Sequence, residues 1–227
     1  APYARQALLR RAYLQDRLED RARAADDYAA FAERYPDDAQ ARDARRRAID
    51  LFFNADRHDR VIELAPAWLK DARPGPPAAA ARLKLAVSLI RKDQPDRAID
   101  QLDAVLNAKP SDRVKALAHF YRGLVLTGQA DKRRPRSIDA ATDALEAALA
   151  GDLPDGQKTE ALAMTARLHR LAGNDAAALD AYEKLGAIRS AGEFEPAVAL
   201  WVGRGMVDAG QPEDALPWLD AVADQQD

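Results

Sequence analysis

The 227-residue sequence contains no cysteine and only three histidines, and 6% of its residues are aromatic. The lack of cysteine excludes disulfides, thiolate zinc sites and a cysteine nucleophile, and it leaves the redox compartment open. No run of about 18 apolar residues occurs, so no segment reads as a membrane-spanning helix. Neither sign of charge prevails: 34 Lys and Arg stand interspersed with 37 Asp and Glu, for a net charge of -3. Such a chain has no global field to hold a polyanion, and nucleic acid is not an expected partner.

Catalytic signatures are also missing. His58, His119 and His169 have neither paired-ligand spacing nor a neighbouring ligand set, so no metal is expected. The one glycine-dense stretch, GRGMVDAG from Gly203 to Gly210, follows no predicted strand and does not read as a phosphate loop. No catalytic residue and no cofactor are assigned, and the chain is expected not to be an enzyme.

What is present is 48% apolar residues, much of it alanine, with abundant Leu, Arg, Asp and Glu. These side chains lose little rotamer freedom in a helix, and an all-α fold is predicted. The segment QPDRAIDQLDAVL from Gln94 to Leu106 returns as QPEDALPWLDAVA from Gln211 to Ala223, with seven of thirteen positions identical. That offset of 117 contains a shorter period. Small or compact residues at Ala12, Ile49, Ala86, Gly123, Ala166 and Gly203 are spaced 37, 37, 37, 43 and 37 residues apart. A second ladder, Ala24, Val61, Ala98, Ala141, Ala178 and Ala215, has steps of 37, 37, 43, 37 and 37. Together they define six units and place one six-residue insertion between Gly123 and Ala141.

Each unit reads as two helices joined by a tight polar turn, such as RLAGND in the fifth and VDAGQPED in the sixth. Gly173 and Gly210 fall where a first helix must end, which favours a left-handed residue. Pro95 and Pro212 then open second helices, where the missing N–H costs nothing. Pro66 and Pro217 fall inside predicted second helices and should bend them.

This pattern resembles the tetratricopeptide repeat, with a small residue at repeat position 8, a large one at 11, Ala at 20, an aromatic at 24 and Pro at 32. In the third unit Ala86, Leu89, Ala98, Leu102 and Pro110 occupy these places. The resemblance implies a right-handed α-solenoid of about six repeats, at approximately 5–38, 42–75, 79–112, 116–155, 159–192 and 196–227. The second unit departs from it with Ile49 and Val61 at the small positions, and the fourth holds the insertion.

The resemblance also implies a concave groove lined by first helices, and hence a protein or peptide partner. Carried over by position, the groove residues are Arg46, Asp50, Phe53, Leu83, Val87, Ile90, Phe120, Leu124, Arg167, Arg170 and Arg204. They make the groove apolar in the middle and basic towards the last units, which suits a peptide with apolar anchors and an acidic flank. The alternative is that tight coiling buries the apolar strip between repeats, and the sequence leaves the two open. Arg46 and Asp50 replace the Lys and Asn with which chaperone-binding relatives clamp a terminal carboxylate, which argues against that role. Lys132, Arg133, Arg134 and Arg136, in the insertion, form a candidate docking loop for an acidic partner or simply a solvated connector.

The phrase AFAERYPDDAQARDARRRA, from Ala30 to Ala48, and the 37-residue unit are similar to the bacterial envelope branch of the family, including outer-membrane assembly lipoproteins and Tol-Pal-associated proteins. That likeness implies a periplasmic or envelope-associated scaffold in an envelope, secretion or motility assembly. A cytoplasmic peptide-binding regulator and the substrate-presenting arm of a larger enzyme, such as a glycosyltransferase, are the alternatives. The chain opens at Ala1 and its last helix carries Leu216, Leu219 and Val222 with no polar helix after it, so a longer protein or self-association through that helix is expected.

Overall fold

A computed structural model describes residues 2–129 and 135–223. Among the described residues the chain forms α-helices and one 3-10 turn, with no strand. The helices are α1 (Pro2–Arg17), α2 (Arg21–Arg34), α3 (Ala41–Asn54), α4 (His58–Lys70), α5 (Pro76–Arg91) and α6 (Pro95–Leu106), followed by α7 (Asp112–Gln129) and α8 (Pro135–Leu149). Then come α9 (Asp155–Ala172), α10 (Asp175–Gly186), the 3-10 turn η1 (Ala191–Glu193), α11 (Pro196–Asp208) and α12 (Pro212–Ala223). Two compact units divide the chain, Ala1–Ala118 and His119–Asp227, with the boundary inside α7. In unit 1 each helix from α1 to α6 packs on the next, and the first helices α3 and α5 also touch directly. In unit 2, α8 to α12 stack in the same consecutive way.

Every rung of the two sequence ladders is buried. Small residues are needed there because the two helices of a repeat approach most closely at those positions. At Gly203 an added Cβ would lie 2.6 Å from Leu219 Cδ2, and at Gly123 it would lie 2.6 Å from Leu145 Cδ2. Glycine at position 8 thus makes room for a leucine at position 24. Burying such a leucine contributes about 1.5 to 3 kcal/mol.

The turn inside the repeat has one form in the five repeats where it is described. The residue at position 15 is left-handed in all five turns described: Glu19, Asp56, Asp93, Gly173 and Gly210, with φ of 62°, 54°, 54°, 76° and 78°. The next N–H then donates back to the carbonyl five residues earlier, as from Asn174 to His169 and from Gln94 to Leu89 at 2.9 Å, which is the Schellman closure. The insertion is partly helical. α8 begins six residues before Ala141, whereas every other second helix begins three residues before its position-20 residue. Pro66 and Pro217 lie inside α4 and α12, as the sequence suggests.

One element follows no repeat. Ser190 and Glu193 form a reciprocal capping box around η1, and the ring of Phe194, just after it, lies 4.8 Å from that of Trp218 on α12. Tyr182 joins this aromatic cluster, its ring 6.0 Å from that of Trp201 and 6.3 Å from that of Trp218. Leu219 and Val222 pack partly onto the same cluster, while Leu216 remains 56% exposed.

Candidate functional site

In unit 1 the first helices α1 and α3 flank a cleft of about 450 Å³. Leu9 and Tyr13, one helical turn apart on α1, form one wall, and Ala44 and Arg46 on α3 form the other. The floor is Tyr28 from α2, a buried position-24 aromatic. Burial pushes the Tyr28 phenol above its ordinary value, and nearby Asp16 adds to that shift while Arg47 opposes it. Tyr28 therefore enters the cleft as a neutral hydrogen-bonding group.

The cations around the cleft differ in their engagement. Arg47 donates two parallel hydrogen bonds to Asp16, at 2.6 and 2.7 Å, and so ties α3 to the end of α1. Arg10 and Arg46 lie on the exposed rim and pair with no carboxylate among the described residues. Asp43 is the one acid lining the cleft. The arrangement offers an apolar and phenolic trough with two open guanidinium groups, suited to an acidic side chain next to an apolar one.

The other groove residues expected in unit 1 serve packing. Asp50 is ion-paired with Lys84 of the next repeat, and Lys84 Nζ also lies 5.9 Å above the ring of Phe53. Leu83 is 8% exposed and Val87 6%, while Ile90 is half-buried. In unit 2 Phe120 is 2% exposed and edge-on to Tyr121, with Leu124 half-buried. Leu83 and Val87 are thus buried within unit 1, and Phe120 within unit 2.

The basic residues expected in unit 2 are dispersed. Arg170 lies 5.7 Å above the Trp201 ring, and Arg167 is exposed. Arg204 lines a cleft of about 350 Å³ together with Trp201, Leu200, Asp175 and Asp208, so acids accompany it. Of the expected docking loop, Lys132, Arg133 and Arg134 lie outside the described residues, and Arg136 is exposed on the first turn of α8. Leu9 and Tyr13 hold the same groove positions of the repeat, 5 and 9, as Arg46 and Asp50, whereas Arg10 and Tyr28 hold none of the expected groove positions.

Two of the histidines join neighbouring helices. His58 Nδ1 lies 3.1 Å from the hydroxyl of fully buried Ser88, which links the second repeat to the third. Burial, the largest cause, lowers the His58 pKa, and Asp56 partly offsets it. His169 Nε2 lies 3.2 Å from Glu146, joining α9 to α8. Among the described residues no group of three or more His, Asp or Glu side chains could hold a metal ion, and no helix is long and apolar enough to cross a membrane.

Stacked two-helix units of this kind define an α-solenoid of helical repeats. The tetratricopeptide repeat family profile matches residues 6–38 and 80–111, the first and third repeats. Those two segments are similar to the tetratricopeptide repeat. No curated protein matches it in sequence. Among solved structures, a tetratricopeptide repeat protein from Parabacteroides merdae is 11% identical with a TM-score of 0.62, over 99% of this chain and 81% of its own. YrrB, described as a TPR protein with an unusual peptide-binding site, is 16% identical with a TM-score of 0.59, over 80% of this chain and 84% of its own. PilW, described as a widely conserved type IV pilus biogenesis factor, is 17% identical with a TM-score of 0.54, over 96% and 91% respectively. At these identities the likeness is one of fold.

Proposed function

We propose that this protein is a non-enzymatic scaffold whose first-helix cleft in unit 1 docks a partner peptide carrying an acidic residue beside an apolar one. The observation that carries the reading is the cleft between α1 and α3, walled by Leu9 and Tyr13 and floored by Tyr28, with Arg10 and Arg46 on its rim paired to no carboxylate among the described residues. The likeness of two segments to the tetratricopeptide repeat supports it, because these repeats generally mediate protein–protein contacts. The peptide-binding site named for YrrB supports it by analogy of fold. The scaffold belongs, on this reading, to a bacterial envelope, secretion or motility assembly and lies in the periplasm or at the envelope. The RYP phrase after α2 and the fold likeness to PilW favour that setting.

The test is selection of a displayed random-peptide library on the 227-residue chain, repeated on Arg46→Glu and Tyr13→Ala variants. Enriched peptides should share an Asp or Glu within two residues of a Leu or aromatic, and each variant should weaken a representative peptide about tenfold or more. Enrichment unchanged by both variants would remove the cleft from the proposal.

A further inference from the structure

Unit 1 has a second cleft, of about 360 Å³, between α4, α5 and α6, which shares no residue with the α1–α3 cleft. Its floor is apolar, made by the buried Leu69, Leu85 and Leu89. Three cations surround that floor: Lys70 from the end of α4, Arg82 from α5 and Arg97 from α6. No carboxylate lines the cleft. Arg82 donates to Gln101 Oε1 at 3.2 Å, and Arg97 donates to Gln94, so both guanidinium groups are oriented by neutral amides, and neither pairs with a carboxylate among the described residues.

The contrast within the unit is chemical. Arg11, Arg47, Arg57, Lys84 and Lys92 are each matched to an aspartate. Around this cleft no carboxylate among the described residues takes that part, and the three cations flank an apolar floor. A monoanionic carboxylate would offset one of the three charges. A phosphate monoester carries close to two negative charges and three acceptor oxygens, and it suits two planar guanidinium forks with an ammonium beside them. We propose that the α4–α5–α6 cleft is an oxyanion site that takes a phosphate monoester, with Arg82 and Arg97 as the direct donors and Lys70 as the neighbouring charge.

The experiment is thermal unfolding of the 227-residue chain in inorganic phosphate and in chloride at matched ionic strength, for the wild type and for Arg82→Gln, Arg97→Gln and Arg17→Gln. Phosphate at ten times its dissociation constant should raise the midpoint by roughly 3 to 5 °C over chloride. The rise should disappear in Arg82→Gln and Arg97→Gln and persist in Arg17→Gln, an exposed arginine on another helix. Arg97 is exposed, so Arg97→Gln keeps the test open if Arg82→Gln fails to fold. A phosphoserine peptide that binds at least tenfold more tightly than phosphate identifies a partner-borne phosphoryl group, and equal affinity identifies the free anion. A phosphate rise that survives both cleft variants, or a glutamate peptide that binds as tightly as its phosphoserine counterpart, would overturn the proposal.

Discussion

Position 15 of the repeat carries the same backbone conformation with three different side chains. Glycine at 173 and 210 reaches the left-handed region without penalty, whereas Glu19, Asp56 and Asp93 hold it with a Cβ present. Replacing Asp93 with Gly should therefore stabilise the protein by about 1 kcal/mol, and replacing Gly173 with Ala should cost about as much. Paired urea midpoints at fixed pH would test both signs at once. His58 gives a second test at this scale. Its imidazole is half-enclosed beside Phe53, with Asp56 and Asp59 favouring the charged form and Arg91 and Lys92 opposing it, and burial dominates to depress the pKa below 6.5. The folded state thus binds fewer protons than the unfolded chain between the depressed value and 6.5. The stability linked to His58 is complete above 6.5 and is lost as pH falls through that window. Urea midpoints taken between about pH 7.5 and pH 5.5 should decline in the wild type and decline less in His58→Gln.

Between paired helices, the glycine at position 8 and the leucine at position 24 act as one unit. Gly203→Ala gains about 1 kcal/mol in helix propensity but drives a methyl into Leu219, an overlap that costs about 1 to 3 kcal/mol. A net loss is expected. In a Leu219→Ala background the obstruction is gone, and the same glycine substitution should become stabilising; a double-mutant cycle in urea reads the change of sign. Gly128, with nothing within 4 Å of an added Cβ, should gain from alanine in either background. These pairings were legible in the sequence, because a period of 37 fixes which residues of paired helices face one another. The same period also reaches the left-handed acids at 19, 56 and 93, which share the register of Gly173 and Gly210 although their side chains give no local hint. What periodicity does not encode is the distance between successive first helices. Leu83 and Val87 could line an open groove or a closed seam with the same spacing, and both are buried within unit 1. Ser190 to Phe194 lies in a connector that occurs once, so no second copy could reveal that Phe194 would cover Trp218.

Across the chain, the contacts that hold a repeat are with its sequence neighbours. In unit 1, Arg47 reaches Asp16, Arg57 reaches Asp26 and Lys92 reaches Asp59, each pair joining one repeat to the next. In unit 2 the aromatic cluster of Tyr182, Phe194, Trp201 and Trp218 joins the fifth repeat to the sixth. Stability in such an array is close to a sum of repeat and nearest-neighbour terms, so damage should remain local. Trp218→Ala removes the buried ring on which Phe194 rests, and truncations of this kind cost about 3 to 5 kcal/mol. Native-state hydrogen exchange should then accelerate in α10, α11 and α12, and in α9 to a smaller degree. Helices α1 to α4 should exchange as in the wild type, and a phosphate-dependent midpoint for unit 1 should be unchanged. A uniform loss of protection along the chain would instead mean that the repeats unfold as one cooperative block, and a ligand in either cleft of unit 1 would then stabilise the aromatic end as strongly as its own repeats.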